Sequence, residues 1–316
     1  MKKKTTLIYM GSHDFSVPAL QMLAAQDDFH ISLVVTQPDR PKGRGKKLAP
    51  SPVKTAALNL GLDVFQPENL NTKDAREKLL SLQPDFFVVA AFGQILSQKI
   101  LDIPKLFPIN IHASLLPRYR GASPIQAAIL NMDKITGITT MVMGKDLDAG
   151  DILLTATTPI SEQDTAQDLH DRLGLIGADL IGKTLRAVLN ERIEPTPQDH
   201  SKATYVKLLK KTDGEIDWAL GNRQICAHIN AMTPWPGAFT TLGSKRIKIY
   251  KARASDLPSP QDPGVIFQCD KDGIHVATGN GSLVILELMG ISGKRLKAGE
   301  FLCGHKIDPP VKFDSV

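Results

Sequence analysis

The sequence predicts an α/β chain, a doubly wound and mostly parallel sheet followed by a small β-barrel, and three observations predict it. The first 190 residues alternate short β-rich apolar runs with stretches of helical spacing, the pattern of βαβ units whose sheet is buried on both faces. Past Asn190 the text turns polar and proline-punctuated, through Glu191, Pro195, Pro197 and Asp199. Beyond that break, short alternating strands recur at even spacing with glycine turns.

Taken in order, Thr6 to Met10, Ile31 to Thr36, Val64-Phe65, Phe86 to Ala91 and Ile109 to His112 are predicted strands. Val17 to Ala25, Val53 to Asn59 and Ala75 to Ser81 carry apolar residues at helical spacing between them. Ile138 to Met143 and Ile152 to Thr157 extend the sheet, and Thr165 to Leu189 reads as a long closing helix. In the remainder, a helix over Asn222 to Ala231 precedes strands at Arg246 to Lys251, Gly264 to Phe267, Gly273 to Ala277 and Leu283 to Leu288, the text of an OB-like barrel. The expected division is therefore 1–189, a linker over 190–208, and 209–316. The length supports it, since single cores stop growing near about 250–300 residues.

Composition narrows the class. With 42% hydrophobic and 22% charged residues, the chain has ample core-forming material. The apolar run behind the basic start is only Leu7 to Met10, too short for a signal peptide, and no stretch of about 18 apolar residues could span a bilayer. Three scattered cysteines, Cys226, Cys269 and Cys303, suit reducing cytosol, so a cytoplasmic protein is expected. Lys plus Arg against Asp plus Glu is 23 to 22 over 1–204 and 15 to 11 over 205–316, so most of the net +5 is C-terminal. The sharpest local feature is nonetheless Arg40, Lys42, Arg44, Lys46 and Lys47, on a Pro- and Gly-broken stretch read as a mobile loop.

Several chemistries lack their motifs. The first strand-to-helix turn, Met10-Gly11-Ser12-His13-Asp14-Phe15, has one glycine where a dinucleotide cradle needs three, and no P-loop follows. His13 and Asp14 read there as turn and capping residues. No His-Glu-x-x-His pair or His/Cys spacing suggests a metal site, and no Gly-x-Ser-x-Gly elbow offers a serine nucleophile.

Asn110-Ile111-His112 differs, because strand period puts Asn110 and His112 on one face at the carboxyl end of an apolar strand, where α/β sheets open their ligand crevice. A second polar cluster, Lys145-Asp146-Leu147-Asp148-Ala149-Gly150-Asp151, follows another strand. Taken singly, its carboxylates read as turn formers and a lone strand-end histidine as structural, and only their conjunction points to chemistry.

Asn110-x-His112, Ser114-Leu115-Leu116-Pro117, and Leu147-Asp148-Ala149-Gly150 thirty-six residues after the histidine together resemble the folate-dependent formyltransferases that use 10-formyltetrahydrofolate. Further stretches resemble the branch of that family acting on methionyl-tRNA: Thr36 to Pro41 with Gly43 to Leu48, Pro50 to Lys54, Tyr119 to Gln126, Gly214 to Trp218, and Pro234 to Gly237. The resemblance implies a Rossmann-like catalytic domain, with Asn110, His112 and Asp148 as the catalytic trio and Ser114, Leu115, Leu116 and Pro117 touching the folate. It makes Phe92, Gly93, Gln94 and Ile95 a pterin-side loop. The chain departs at Ser12-His13, usually Thr-Pro in the family, and at Ala113, often Gly or Pro there.

The trio's chemistry suits formyl transfer to an amine without a covalent enzyme intermediate. Asn110 and His112 can donate to the developing oxyanion, and Asp148 can pair with the imidazolium and accept the amine's proton. The resemblance makes the basic run an acceptor-stem clamp, and Arg246 and Lys248, on the outer face of an alternating strand, add phosphate contacts. Initiator methionyl-tRNA and a folate co-substrate are the expected partners of a monomer without metal. The rival readings are formylation of a small amine, such as glycinamide ribonucleotide or an amino sugar, and a non-catalytic RNA-binding module.

Overall fold

The structure, a computed structural model, describes residues 4–42, 45, 47–243, 245–255, 257–258, 261–290 and 293–314. The chain divides into two compact units. One comprises Met1–Gly121, Ile135–Thr158 and His170–Val206, the other Ala122–Lys134, Pro159–Leu169 and Lys207–Val316. Among the described residues, no helix is long and apolar enough to cross a membrane.

In the first unit a sheet of seven strands runs in the order Ile152–Pro159, Ile135–Val142, Phe107–His112, Phe86–Ala90, Thr5–Gly11, Phe29–Val35 and Val64–Phe65. The five from Phe107–His112 to Val64–Phe65 pair in parallel, while Phe107–His112 meets Ile135–Val142 antiparallel. Both faces of the central strands are buried. Ile8, Met10, Leu33, Val35, Phe87 and Val89 join one apolar cluster, and Leu7, Tyr9, Phe86 and Val88, which alternate with them, are fully covered as well. Full burial of such a side chain contributes on the order of 1.5–3 kcal/mol, so the continuous apolar text of these strands is what a two-sided sheet requires.

The helices Pro52–Asn59 and Lys73–Ser81 start where Ser51 and Thr72 accept the Lys54 and Ala75 backbone N–H groups at 3.0 and 3.3 Å. His13 occupies an N-cap backbone position without a side-chain hydrogen bond, so the capping expected of it falls to Asp14 alone, which accepts the Phe15 N–H at 3.1 Å. The closing helix Ala166–Leu189 runs as expected, and Gly177 lets it approach Ile111 closely. The short helix Pro124–Leu130 was not expected from the sequence.

The flanks of the basic stretch correct the expectation of an irregular loop. Arg40–Lys42 and Lys47–Ala49 form a two-stranded antiparallel hairpin, with Arg40 opposite Ala49 and Lys42 opposite Lys47. Pro41 is compatible with it because an isolated pair has only edge strands.

The second unit holds an antiparallel sheet in the order Ala238–Leu242, Lys245–Ser255, Ser282–Met289, Gly273–Ala277, Val265–Asp270 and Val311–Lys312, with Arg295–Lys297 added to Ser282–Met289. A bridge between Thr241 and Asp314 joins the two ends of this path, curling the sheet into a barrel. Inside, Trp218 stacks on Phe313 at 5.1 Å and donates its indole N–H to Thr240 Oγ1 at 3.0 Å. Ile247 and Ile249 are buried and Arg246 is exposed, as the alternation along that strand predicts.

Candidate active site

The site is built at the carboxyl end of Phe107–His112. Asn110 lies between Val89 and Met141, and His112 opposite Thr139, so the pleat brings both polar side chains to one face while Ile109 and Ile111 are buried on the other. Asn110 is half-buried and its amide makes no hydrogen bond among the described residues. His112 is buried, and its Nε2 lies 3.0 Å from the Tyr119 carbonyl oxygen. A carbonyl only accepts, so Nε2 carries a proton and Nδ1 is the nitrogen left for chemistry.

Asp148 completes the group. Its Oδ2 stands 3.6 Å from His112 Nδ1, within range of a charge pair but longer than a hydrogen bond, and accepts the Gly121 backbone N–H at 2.8 Å. Oδ1 has no partner among the described residues. Asp148 adopts a left-handed backbone, φ +49°, which costs a non-glycine residue on the order of 1–2 kcal/mol. Two residues later the chain turns back so tightly that a Cβ on Gly150 would collide with the Val142 carbonyl oxygen. Of the three candidate carboxylates, Asp148 alone meets His112; Asp146 is exposed and Asp151 half-buried.

Arg120 and Gly121 lie in the stretch Tyr119 to Gln126 that carried the resemblance, but the residues that join them at this site, Gln198, His200 and Tyr205, were not marked in the linear text. Arg120 is 1% exposed, and among the described residues its side chain meets no carboxylate: it bonds Gln198 Oε1 at 3.1 and 2.7 Å, the Tyr205 hydroxyl at 3.0 Å and His200 Nδ1 at 3.1 Å. Gln198 Nε2 donates to the Asp148 and Gly150 carbonyls at 2.9 and 2.7 Å. Arg120-Gly121 pairs in parallel with Tyr205-Val206, so closely that Gly121, at φ +113°, has no room for a Cβ. Gln198 sits in polar, proline-rich text, where no spacing or periodicity marks it.

The residues assigned to the folate fall into two kinds. Ser114 is fully buried, its hydroxyl donates to the Arg118 carbonyl at 2.6 Å, and its own carbonyl accepts the Thr139 hydroxyl at 2.7 Å. Leu116 is buried, with its N–H on Thr139 Oγ1 at 3.1 Å, whereas Leu115 and Pro117 are half-buried. In the other loop Phe92 is buried, and the Gln37 side chain donates to the Phe92 and Gly93 carbonyls at 3.1 and 2.9 Å. Gln94 uses both ends of its amide on Leu70 and Pro67, and Asn71 donates to the Ile95 carbonyl. Ile95 itself is 89% exposed, the most solvent-facing large apolar side chain among those described.

Of the cations expected to meet RNA, Arg40 and Lys47 are exposed on the hairpin, while Arg44, Lys46 and the Lys42 side chain lie outside the described residues. Asp39 roots the hairpin: Lys54 Nζ reaches both its oxygens at 2.9 and 2.7 Å and Gln66 Nε2 reaches one at 2.8 Å, holding its carboxyl below the usual carboxylate value. In the second unit the Arg246 guanidinium lies 3.8 Å above the Phe239 ring and Lys248 Nζ is 3.5 Å from the Pro236 carbonyl oxygen. Together with Lys211 and the half-exposed Trp235 they line one depression.

Comparison with known proteins gives two matches along the chain. The profile of the family described as formyl transferase matches residues 3–184, and that of the formyl transferase C-terminal domain matches residues 208–306. The chain is 46% identical over 308 residues to a methionyl-tRNA formyltransferase from Geobacter metallireducens, covering 98% of each chain. It is 43% identical over 306 residues to one from Bacillus velezensis, covering 96% of each. Among solved structures it is similar to an N-formyltransferase from Helicobacter canadensis in complex with folinic acid and dTDP-3-aminofucose (TM-score 0.68, 19% identity, 90% of this chain and 99% of that one). It is also similar to HypX from Aquifex aeolicus in complex with tetrahydrofolic acid (TM-score 0.63, 17% identity, 99% of this chain and 50% of that one).

Proposed function

The chain belongs to the formyl transferase family, and from that premise we propose that it transfers the formyl group of 10-formyltetrahydrofolate to the α-amine of methionine on initiator tRNA, acting in the cytoplasm as a monomer. The observation that carries the reading is the Asp148 carboxylate held 3.6 Å from His112 Nδ1 on the face Asn110 shares. The full-length likeness to methionyl-tRNA formyltransferases favours a charged tRNA over a small amine as acceptor.

In this reading the methionyl amine attacks the formyl carbon, the new C–N bond forms, and the bond to the folate nitrogen breaks. The unpartnered Asn110 amide donates to the carbonyl oxygen as it gains charge, an interaction worth about 3 kcal/mol per donor in such sites. His112, its Nε2 held on the Tyr119 carbonyl, presents Nδ1 toward the reacting oxygen, with the Asp148 carboxylate beside it. Asp148 Oδ1 takes the amine's proton, and that same proton passes to the folate nitrogen as its bond to the formyl carbon breaks. Phe92, Gly93, Gln94, Ile95, Ser114, Leu115, Leu116 and Pro117 form the folate-facing loops, with exposed Ile95 offering apolar contact and the buried groups holding loop shape. Residues 1–189 serve as the catalytic domain and 209–316 as the tRNA-binding domain. Arg40, Lys42, Arg44, Lys46, Lys47, Arg246 and Lys248 meet phosphates.

The test is incubation with 10-formyltetrahydrofolate and methionyl initiator tRNA, with a charged elongator tRNA, glycinamide ribonucleotide and an amino sugar as controls. Formylated methionine on the initiator alone is expected. Formylation of a small amine in preference to the tRNA would overturn the assignment.

A further inference from the structure

Asp148 and His112 stand on separate segments, and one tripeptide touches both. The Tyr119 carbonyl accepts from His112 Nε2 at 3.0 Å, and the Gly121 N–H donates to Asp148 Oδ2 at 2.8 Å. The residue between them, Arg120, reaches the backbone of the Asp148 turn through a single intermediary, Gln198. Its Oε1 accepts from Arg120 Nε and Nη2, and its Nε2 donates to the carbonyls of Asp148 and Gly150. Gln198 is 5% exposed and falls between the two stretches matched by the family profiles, 3–184 and 208–306. Asp148 has a backbone conformation that a non-glycine residue keeps only where its surroundings impose it. The Gln198 amide nitrogen holds the carbonyl of Asp148 itself and that of Gly150 two residues on, and buried Arg120 fixes which end of the amide faces the turn.

We infer that Gln198 is a positioning residue for formyl transfer, setting the Asp148 carboxylate against His112 by clamping the 148–150 turn to the Arg120 side chain. The inference rests on the reading of Asp148 as the group that takes the amine's proton. An amide is required, because only an amide accepts from the guanidinium at one end and donates to two carbonyls at the other. Glutamate keeps the length and the Arg120 contact, but sets a carboxylate oxygen against the two carbonyl oxygens and pushes the turn away.

The test is Gln198→Glu in the full chain, with kcat and KM for both substrates and the thermal midpoint measured beside wild type, Asp148→Asn and the double variant. Misplacing a catalytic group by about 1 Å lowers turnover by about 100-fold. The expected result is therefore a fall in kcat of about 10- to 100-fold, with both KM values within about 2-fold and a folded enzyme whose midpoint falls by no more than about 10 °C. In the Asp148→Asn background, Gln198→Glu lowers the rate no further, since the group it positions is gone. A folded Gln198→Glu enzyme with wild-type kcat, or a second loss of the same size in the Asp148→Asn background, overturns the inference. If Asp148→Asn alone keeps wild-type turnover, the underlying reading fails and takes this one with it. If Asp148→Asn is crippled and Gln198→Glu is not, this one falls alone. Should Gln198→Glu not fold, Gln198→Met, uncharged and of similar length, is judged by the same outcomes.

Discussion

The Tyr119 carbonyl oxygen lies 3.0 Å from His112 Nε2, which fixes the tautomer of the buried imidazole and turns Nδ1 toward Asp148. A main-chain acceptor thus orients this imidazole, as a side-chain acceptor orients the histidine of many triads. His112→Ala is expected to lower kcat by about 100- to 1,000-fold, and His112→Gln to recover little of it. Steady-state formylation assays on folded variants check this.

Asn110 offers a cleaner separation of activity from stability. Its side chain is half-buried and without a hydrogen bond among the described residues, so its removal orphans no partner. Asn110→Ala is expected to leave the thermal midpoint within about 3 °C of wild type and to lower kcat by about 100-fold or more. Equal losses in both measurements would assign Asn110 a structural role.

Asp148→Gly should uncouple the same two properties by another route. Glycine relieves the left-handed backbone at φ +49°, a gain of about 1 kcal/mol, while the lost Gly121 contact costs a similar amount. The expected enzyme unfolds near the wild-type temperature and is inactive. Urea titration with activity measured on the same samples checks both halves.

Acid should weaken the fold through His228. Burial, which outweighs the opposing Gly214 backbone contact and Asp213 charge, lowers its proton affinity below the ordinary histidine value of 6.5, and its Nε2 has no partner among the described residues. The unfolded chain then binds the proton more readily than the folded one. The stability is whole above pH 6.5 and is lost as pH falls from there through the depressed folded value. His228→Phe is expected to flatten this part of the curve, read as the thermal midpoint between about pH 5 and 7.5.

Arg40→Ala and Lys47→Ala, exposed on the hairpin, should weaken tRNA binding most at low salt. Each phosphate contact removed lowers the slope of log affinity against log salt by about 0.7–0.9. Binding titrations at several salt concentrations read that slope directly, and an unchanged slope would place these cations away from the RNA.

The fold was legible where one physical signal dominated. Continuous apolar text over Leu7 to Met10 and Phe86 to Ala90 demanded a two-sided sheet, and strict alternation over Arg246 to Lys251 demanded one wet and one dry face. Asn110 and His112 were legible for the same reason, since strand period alone sets them side by side. What the sequence hid is contact between distant segments. Gln198 reads as linker because its two carbonyl partners lie 48 and 50 residues away in sequence, and the burial of Arg120 goes unread because its partner Gln198 lies 78 residues further on. The hairpin was misread at Arg40–Lys42 because proline and glycine punctuate it, although an isolated edge pair tolerates both.

The barrel has a consequence for the order in which the protein matures. Thr241 finds its bridging partner in Asp314, and Trp218 finds its stacking partner in Phe313, roughly seventy and ninety-five residues further along the chain. During synthesis the earlier strands therefore leave the ribosome with their seam unsewn and one indole face uncovered. Only after the segment around Phe313 has emerged can the cylinder shut, so this half of the molecule matures after translation of nearly all of its residues, and a ribosome stalled short of that point would display an open sheet edge.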